Sequence, residues 1–450
     1  MIAKLESVSD HPQAQRTRLI HPQCWFGPAP KFCSEERMTT TSSPTRFVAL
    51  DIHRKYLVVG AVDQEQQIVL TPRRFGFEAF SAWATTHLGP CDAVVLEATS
   101  NAWLLYDQLE PLVGSVTVAH PLAVKLIAAA RVKTDSRDTI KLAHLLAANL
   151  VPAVWVPPVH VRELRALVTH RKRLVNQRTQ VRNRLHAVLH RHNLTVPPGK
   201  PFAAHQQEWW LSLDLSSSEK LRVQQDLSLL RALEELVAAV EAELGRLSTG
   251  EPWVKQVPFL VQLPGLGVLS VMSILAAIGD IGRFPSAKKL VGYAGLGASV
   301  HDSGETHQGG HITKEGRRDL RGVMVEAAWV AVEHHPHWKA QFERLTRRIG
   351  KQKAIVAIAR KLLVAVWHVL TEQEADCHAD AQAIARKLMN WIAHHGLTPG
   401  QHRDRLLLLY QQLDQLGLSE ELEEIDYYGT TYRLSVRQRL LREAQRRQSS

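Results

Sequence analysis

Phe47-Val48-Ala49-Leu50-Asp51-Ile52 and, after a tight basic turn, Tyr56-Leu57-Val58-Val59-Gly60-Ala61-Val62 are two β-rich runs placed to pair as a hairpin. Gln67–Leu70 adds a short third strand. Beyond it the pattern alternates: helix at about Phe77–His87, strand Ala93–Glu97, helix Asn101–Leu112, strand Ser115–Ala119 and helix Leu122–Ala130. A three-strand meander followed by alternating helix and strand predicts an α/β domain over residues 46–150.

Residues 1–45 lack sustained periodicity and end in Thr39-Thr40-Thr41-Ser42-Ser43-Pro44, so they read as a disordered extension. Met38 stands just before the first strand, which makes it a candidate translation start. Pro152, Pro157 and Pro158 mark a boundary, and two long helical segments follow over residues 159–248. In the first, Val161, Val168, Val175 and Leu189 recur at multiples of seven beside Leu167, Leu174, Val181 and Val188. The second carries Leu229, Leu233, Leu236, Val240 and Leu247 as its expected stripe. The pair predicts a coiled-coil hairpin or an oligomerisation arm. Its first helix is basic, with nine Lys/Arg against one Glu from His160 to Leu194, while its second leans acidic. A glycine-rich and then helical stretch occupies 252–370, and a polar helical extension with a basic end occupies 371–450.

A net charge of +11 and a pI near 9.6 favour a polyanionic partner. No run of about 18 uninterrupted apolar residues appears, and the N-terminus has no signal-peptide core. Cys24, Cys33, Cys91 and Cys377 are scattered and form no CxxC pair, which suits a reducing cytoplasm.

The chemistry-bearing pattern is a set of four acids. Asp51 and Glu97 close apolar strands, and Asp135 and Asp138 flank the start of a helix on one face. Singly, each reads as a hydrated end residue. Together, in an RNase H-like sheet whose first and fourth strands are neighbours, they fit a nuclease that holds two hard cations by carboxylate oxygens.

Val48-Ala49-Leu50-Asp51, Leu96-Glu97-Ala98-Thr99, His120-Pro121-Leu122-Ala123-Val124-Lys125 and Lys133-Thr134-Asp135-Ser136-Arg137-Asp138 resemble the blocks of the DEDD transposases. These are insertion-sequence recombinases with a domain similar to the Holliday-junction resolvase RuvC. The resemblance implies that Asp51, Glu97, Asp135 and Asp138 bind Mg²⁺ or Mn²⁺. Ser100 stands where many relatives have Gly, and Thr139 where many have Ala.

The second half continues the resemblance. Leu263-Pro264-Gly265-Leu266-Gly267 precedes an apolar helix and looks like a helix-hairpin-helix turn whose Gly265 and Gly267 could hold a phosphate; a plain helix-start turn is the alternative. Asp302-Ser303-Gly304 lies in a loop dense with Gly and His, ahead of Lys314 and Arg317. Ser-Gly is ordinarily a turn. In the DEDD transposases the serine of this pair is the nucleophile, which implies that Ser303 bonds to a DNA 5′-phosphate. The histidines fit no zinc spacing, and Trp103, Trp329 and Trp367 read as core. The resemblance spans about 46–370.

The expectation is therefore an α/β RuvC-like nuclease domain, a helical coiled-coil arm and a mainly α-helical C-terminal domain carrying Ser303. What the resemblance implies further is a cytoplasmic, nucleoid-associated homo-oligomer, dimer or tetramer, acting on donor and target DNA under a bridge RNA. Arg171, Arg178, Arg182, Lys133, Gly265, Gly267, Lys314 and Arg317 are the expected nucleic-acid contacts. A resolvase acting by hydrolysis alone and a non-catalytic nucleic-acid-binding scaffold are the rival readings.

Overall fold

The structure, a computed structural model, describes residues 43–127, 134–303, 306–396, 402–419 and 422–433. The chain divides into two compact units between Val156 and Pro157.

In the first unit, β1 (Arg46–Ile52), β2 (Leu57–Asp63) and β3 (Ile68–Phe75) form an antiparallel meander. After α1 (Phe77–His87), β4 (Asp92–Glu97) lies parallel to β1. After α2 (Ala102–Leu109), β5 (Ser115–Ala119) lies parallel to β4, giving the order β3-β2-β1-β4-β5. Then come α3 (Pro121–Ile127) and α4 (Asp135–Ala147).

Strand alternation sorts the side chains onto two faces. Val48, Leu50, Leu57, Val59, Val94 and Leu96 pack with Phe80 of α1 and Leu105 and Leu109 of α2. Ala49, Val62, Val95 and Ala119 face Val124 of α3 and Leu142 and Ala143 of α4. On this second face Ala49 pairs with Gly60 across β1 and β2, so two small residues let α4 approach closely. A Cβ at Gly60 would sit 3.0 Å from Ile140 Cδ1 and 3.3 Å from Thr139 Cγ2. β3 is longer than its sequence pattern predicts. It runs through Pro72, which an edge strand tolerates because its outward N–H groups need no partner.

The second unit begins with α5 (Val159–Arg191), α6 (Gln207–Ser212) and α7 (Ser217–Ser248). α7 starts at the N-cap Ser216, whose Oγ accepts from the Glu219 N–H at 3.3 Å. α5 and α7 run antiparallel, because Arg171, Arg182, Arg184 and Arg191 pair with Glu241, Glu234, Asp226 and Glu219 in falling order. The buried stripe of α7 is Val223, Leu227, Leu230, Leu233, Val237 and Leu244. Of the expected stripe, Leu229 and Leu236 are instead 45% and 51% exposed. The helix carries more leucines than one stripe can bury.

α8 (Val257–Val261), α9 (Val268–Ile278) and α10 (Ala287–Tyr293) lead to β6 (Ala298–Ser303) and β7 (Thr306–Ile312). These strands form an antiparallel hairpin where the sequence reads as a loop. Next come α11 (Arg318–His334), α12 (Pro336–Ile349) and α13 (Lys351–Glu372). Among the described residues α13 alone is long and apolar enough to cross a bilayer, yet Ile355, Ile358, Leu362, Leu363, Val366 and Val369 are buried in the protein core. Trp329 is 40% exposed and packs edge-on to Phe342, so it is not the core residue its helical spacing predicts.

The extension holds α14 (Ala381–Trp391), α15 (His402–Gln415) and a second hairpin, β8 (Glu424–Tyr427) and β9 (Thr430–Arg433), so it is not wholly helical. α14 is bound tightly to the rest of the unit. Trp391 Nε1 donates to buried Ser248 Oγ at 2.8 Å, and Lys387 Nζ donates to the carbonyls of Val261 and Leu263 at 2.6 and 2.7 Å.

Candidate active site

Asp51 follows Ala49 by two residues and so shares its face, the one covered by α4. The Leu50↔Leu96 pairing places Glu97, which shares Val95's face, beside Asp51 at the next register step. α4 brings the other two acids. Thr134 caps it, its Oγ1 accepting from the Arg137 N–H at 3.3 Å, and Asp135 and Asp138 occupy the first turn, where the helix dipole favours negative charge. Buried Thr139 donates its hydroxyl to the Asp135 carbonyl at 2.7 Å and lays its methyl against Gly60.

His53 binds the two elements together. Its Nε2 lies 3.3 Å from Asp51 Oδ2 and 3.3 Å from Asp135 Oδ2. Tyr56 donates its hydroxyl to Asp135 Oδ2 at 3.0 Å, stacks on His53 at 4.5 Å, and has the Arg74 guanidinium 3.5 Å from its ring centre. Burial pushes the Asp51 carboxyl above the ordinary carboxylate value; His53 opposes this, and the charges of Asp135 and Asp138 add to it.

Ligand atoms of Asp51, His53 and Asp135 lie within 4.8 Å of one another, a spacing suited to one metal ion. The buried Nε2 of His53 makes no hydrogen bond of acceptable geometry, although it sits between two carboxylates. Hard oxygens held close together, with an orphaned imidazole nitrogen between them, fit a divalent cation. Glu97 and Asp138 stand outside this trio. Sequence reasoning singled out neither His53 nor Tyr56. The signal was present in the short His53-Arg54-Lys55-Tyr56 turn, whose ends are bonded by the His53 N–H to the Tyr56 carbonyl at 2.9 Å.

The residues expected in the second unit have varied surroundings. Ser303 ends β6, opposite Thr306 across the hairpin turn. Gly265 has φ +80, and a Cβ there would fall 2.1 Å from the Ala327 carbonyl oxygen, so its close packing on α11 already accounts for the glycine. Gly267 begins α9 in an extended conformation. Lys314 is exposed in the left-handed region at φ +56. Arg317 forms a two-pronged ion pair with Asp319, at 3.0 and 2.6 Å. Arg171 and Arg182, expected on a phosphate backbone, reach across to Glu241 and Glu234 instead. Arg178 is half-buried, and its Nε has no hydrogen-bond partner among the described residues. Lys133 lies outside the described residues.

Comparison with known proteins agrees with this arrangement of segments. Residues 48–194 match a family model described as a transposase of the DEDD, IS110 type. Residues 258–343 match the model of the transposase IS116/IS110/IS902 family, and the two matches together cover about half of the chain. A putative transposase, y4qE, of Sinorhizobium fredii is 29% identical over 298 residues, 66% of this chain and 73% of its own length. The transposase for insertion sequence element IS1111A of Coxiella burnetii is 24% identical, over 73% of this chain and 90% of its own length. The pilin gene-inverting protein of Moraxella bovis is 26% identical, over 68% of this chain and 89% of its own length. The class so defined is that of DNA-processing transposases and recombinases. Within it, the chain belongs to the DEDD transposase family of insertion sequences typified by IS110.

Proposed function

We propose that the protein cuts and rejoins DNA, using Asp51, Glu97, Asp135 and Asp138 as a metal centre and Ser303 as a nucleophile, under the guidance of a bridge RNA. The observation that carries the first part is the convergence of Asp51 and Asp135 on His53, three donors from a strand, a turn and a helix. The β3-β2-β1-β4-β5 order supports an RNase H-like, RuvC-like reading of residues 46–150. On that reading 159–248 is an arm, 252–370 the serine-bearing domain and 371–450 an extension.

The carboxylates would hold Mg²⁺ or Mn²⁺, with His53 as a further donor. When bound, such an ion supplies Lewis-acid stabilisation of charge on the scissile phosphate. The chain's own groups do the rest. Tyr56 fixes one Asp135 oxygen, and Thr139 anchors the helix start that carries it. In the serine step, the Ser303 Oγ–P bond forms, the P–O3′ bond breaks, and the 3′-hydroxyl leaves with a proton. The phosphoserine ester conserves bond energy, so the reverse attack rejoins strands without ATP.

Backbone contacts on the basic helix are best assigned to Lys172 and Arg173, which are exposed and engage no partner among the described residues, together with Arg178. Lys133, Gly267 and Lys314 complete the proposed nucleic-acid contacts. A homo-oligomer would combine one subunit's carboxylates with another's serine.

Denaturing gels of reactions on labelled DNA test the serine half. Wild type yields a slow protein-linked band, and Ser303→Ala yields none and no recombinants, while DNA binding survives. Recombination by Ser303→Ala refutes the serine assignment. Metal-dependent cleavage without any adduct in wild type identifies a hydrolytic resolvase instead.

A further inference from the structure

The β8–β9 hairpin lies beyond the segments matched by the family models. Tyr427 pairs with Thr430 across a two-residue turn, Tyr428-Gly429, in which both residues have positive φ, 46° and 80°. Turns of this hand favour Asn or Gly at the first position, since a Cβ there meets the following carbonyl. Tyrosine at that position is a local sacrifice. It leaves an aromatic ring at the hairpin tip that is 85% exposed.

The hairpin that carries the ring is tied to α14. Tyr428 stands edge-on to Tyr427, with centroids 4.7 Å apart and planes at 80°. Tyr427 donates its hydroxyl to Asn390 Oδ1 at 2.9 Å, tying the hairpin to α14. Arg386 Nε donates to the Asp426 carbonyl at 3.0 Å, and its terminal nitrogens make no bond among the described residues. Asp426 Oδ1 accepts from Thr431 Oγ1 at 2.8 Å, which leaves Oδ2 without a bond among the described residues. Arg386, Asn390, Asp426, Tyr427, Tyr428 and Gly429 line a cavity of about 330 Å³.

We propose that this cavity is a stacking site for an unpaired nucleobase of a single-stranded nucleic acid. The Tyr428 face offers the platform, since every base has a π-face and such stacking tolerates any sequence. The Arg386 guanidinium is placed for the adjoining phosphate. The Asn390 amide nitrogen and Asp426 Oδ2 supply a donor and an acceptor of the kind a base edge requires. Duplex DNA presents no free base face, so the site selects single strands.

The test uses the full chain and fluorescein-labelled oligo-dT and oligo-U strands of about 12 nucleotides, within the range of known single-strand sites. Anisotropy is expected to show roughly 10-fold weaker binding by Tyr428→Ala, with Tyr428→Phe like wild type and a duplex of equal length unaffected. A strand carrying 5-iodouracil, irradiated and digested, is expected to crosslink to the peptide containing Tyr427 and Tyr428. A loss confined to oligo-U makes the occupant an RNA strand, and one confined to oligo-dT makes it a DNA strand. Unchanged binding of both strands by Tyr428→Ala, an equal loss for the duplex, or a crosslink found only elsewhere overturns the proposal. Because the ring is exposed, an unchanged melting temperature is expected in both variants. None of these outcomes depends on Ser303 or on the carboxylates.

Discussion

The acids of the first unit and the bases of α5 are both dense clusters of one sign, and they are treated in opposite ways. On α5 part of the surplus is matched: Arg171, Arg182, Arg184 and Arg191 each meet a carboxylate of α7, while Lys172 and Arg173 stay exposed. At the C-terminal end of β1, the central strand, the surplus is concentrated. Asp51 and Asp135 share one imidazole, and their mutual repulsion with Asp138 helps to lift the Asp51 carboxyl. Charge matched along a helix pair offsets itself, while like charge gathered at half-buried positions raises the cost of ionising each carboxyl. Composition alone cannot separate these cases, because both raise the count of charged residues equally.

The strongest break in this comparison would come from Asp51→Asn. If the cluster awaits a cation, cleavage falls by at least about 10²-fold, because a positioned metal is worth several kcal/mol at the transition state. The metal-free protein should move the other way. A carboxyl whose folded pKa lies above its unfolded one is penalised by folding wherever it is ionised; that penalty is full above the folded value, fades as pH falls through it, and is gone below the unfolded value. Asp51→Asn is therefore expected to raise the melting temperature at pH 7 in EDTA. Added Mn²⁺ should stabilise wild type and leave the variant unchanged. Calorimetry showing the reverse pattern would remove Asp51 from the metal centre.

Lys387 is a third case, a buried cation met by carbonyls and by no carboxylate among the described residues. Burial lowers its ammonium to about 8. An unfolded lysine titrates near 10.4, so between about pH 8 and 10.4 the unfolded chain holds more protons and stability rises with pH. Below about pH 8 the penalty is fully present. Urea unfolding at pH 7.5 and pH 10 should show wild type gaining up to about 3 kcal/mol relative to Lys387→Met. Parallel behaviour of the two would mean that the carbonyl pair fully compensates the ammonium.

The smallest effect sharpens the comparison within α5 itself. Replacing Arg171 and Arg182 with Gln should cost about 0.5 kcal/mol each in stability and leave the salt dependence of DNA binding untouched. Replacing Lys172 and Arg173 should do the opposite, flattening the slope by up to about 0.9 log units for each duplex phosphate no longer neutralised. A flattened slope from Arg171 and Arg182 would mean that the ion pairs open on binding.

The sheet was legible where one physical signal dominated. Unbroken apolar runs announced β1 and β4, the Val116 and Val118 alternation announced β5, and α1 coincides with its predicted span. β3 was under-read because an exposed edge strand carrying Pro72 lacks that signal. The β6–β7 hairpin hid in a Gly- and His-rich segment without alternation, and β8–β9 hid among charged and aromatic residues. On α7 the heptad was visible but not its phase, since Leu229 and Leu230 are equally apolar and only packing against α5 decides between them. Within the candidate site, the four acids could be named from their places at element ends. His53 and Tyr56 stood visible only as a short polar turn, and their roles were not legible, because their partner Asp135 is 79 or more residues away.

Gly60 turns the separation of two chain segments into a question of a single carbon. The helix start that carries Asp135 and Asp138 belongs to α4, and α4 rests on β2 through Thr139 and Ile140. A methyl group at position 60 would press first on the flexible Ile140 terminus and then on Thr139, whose hydroxyl holds the Asp135 carbonyl. The glycine therefore acts as a shim of zero thickness beneath the helix. Any residue thicker than it would widen the gap between the acids of the sheet and those of the helix, and with it the spacing of Asp51 and Asp135.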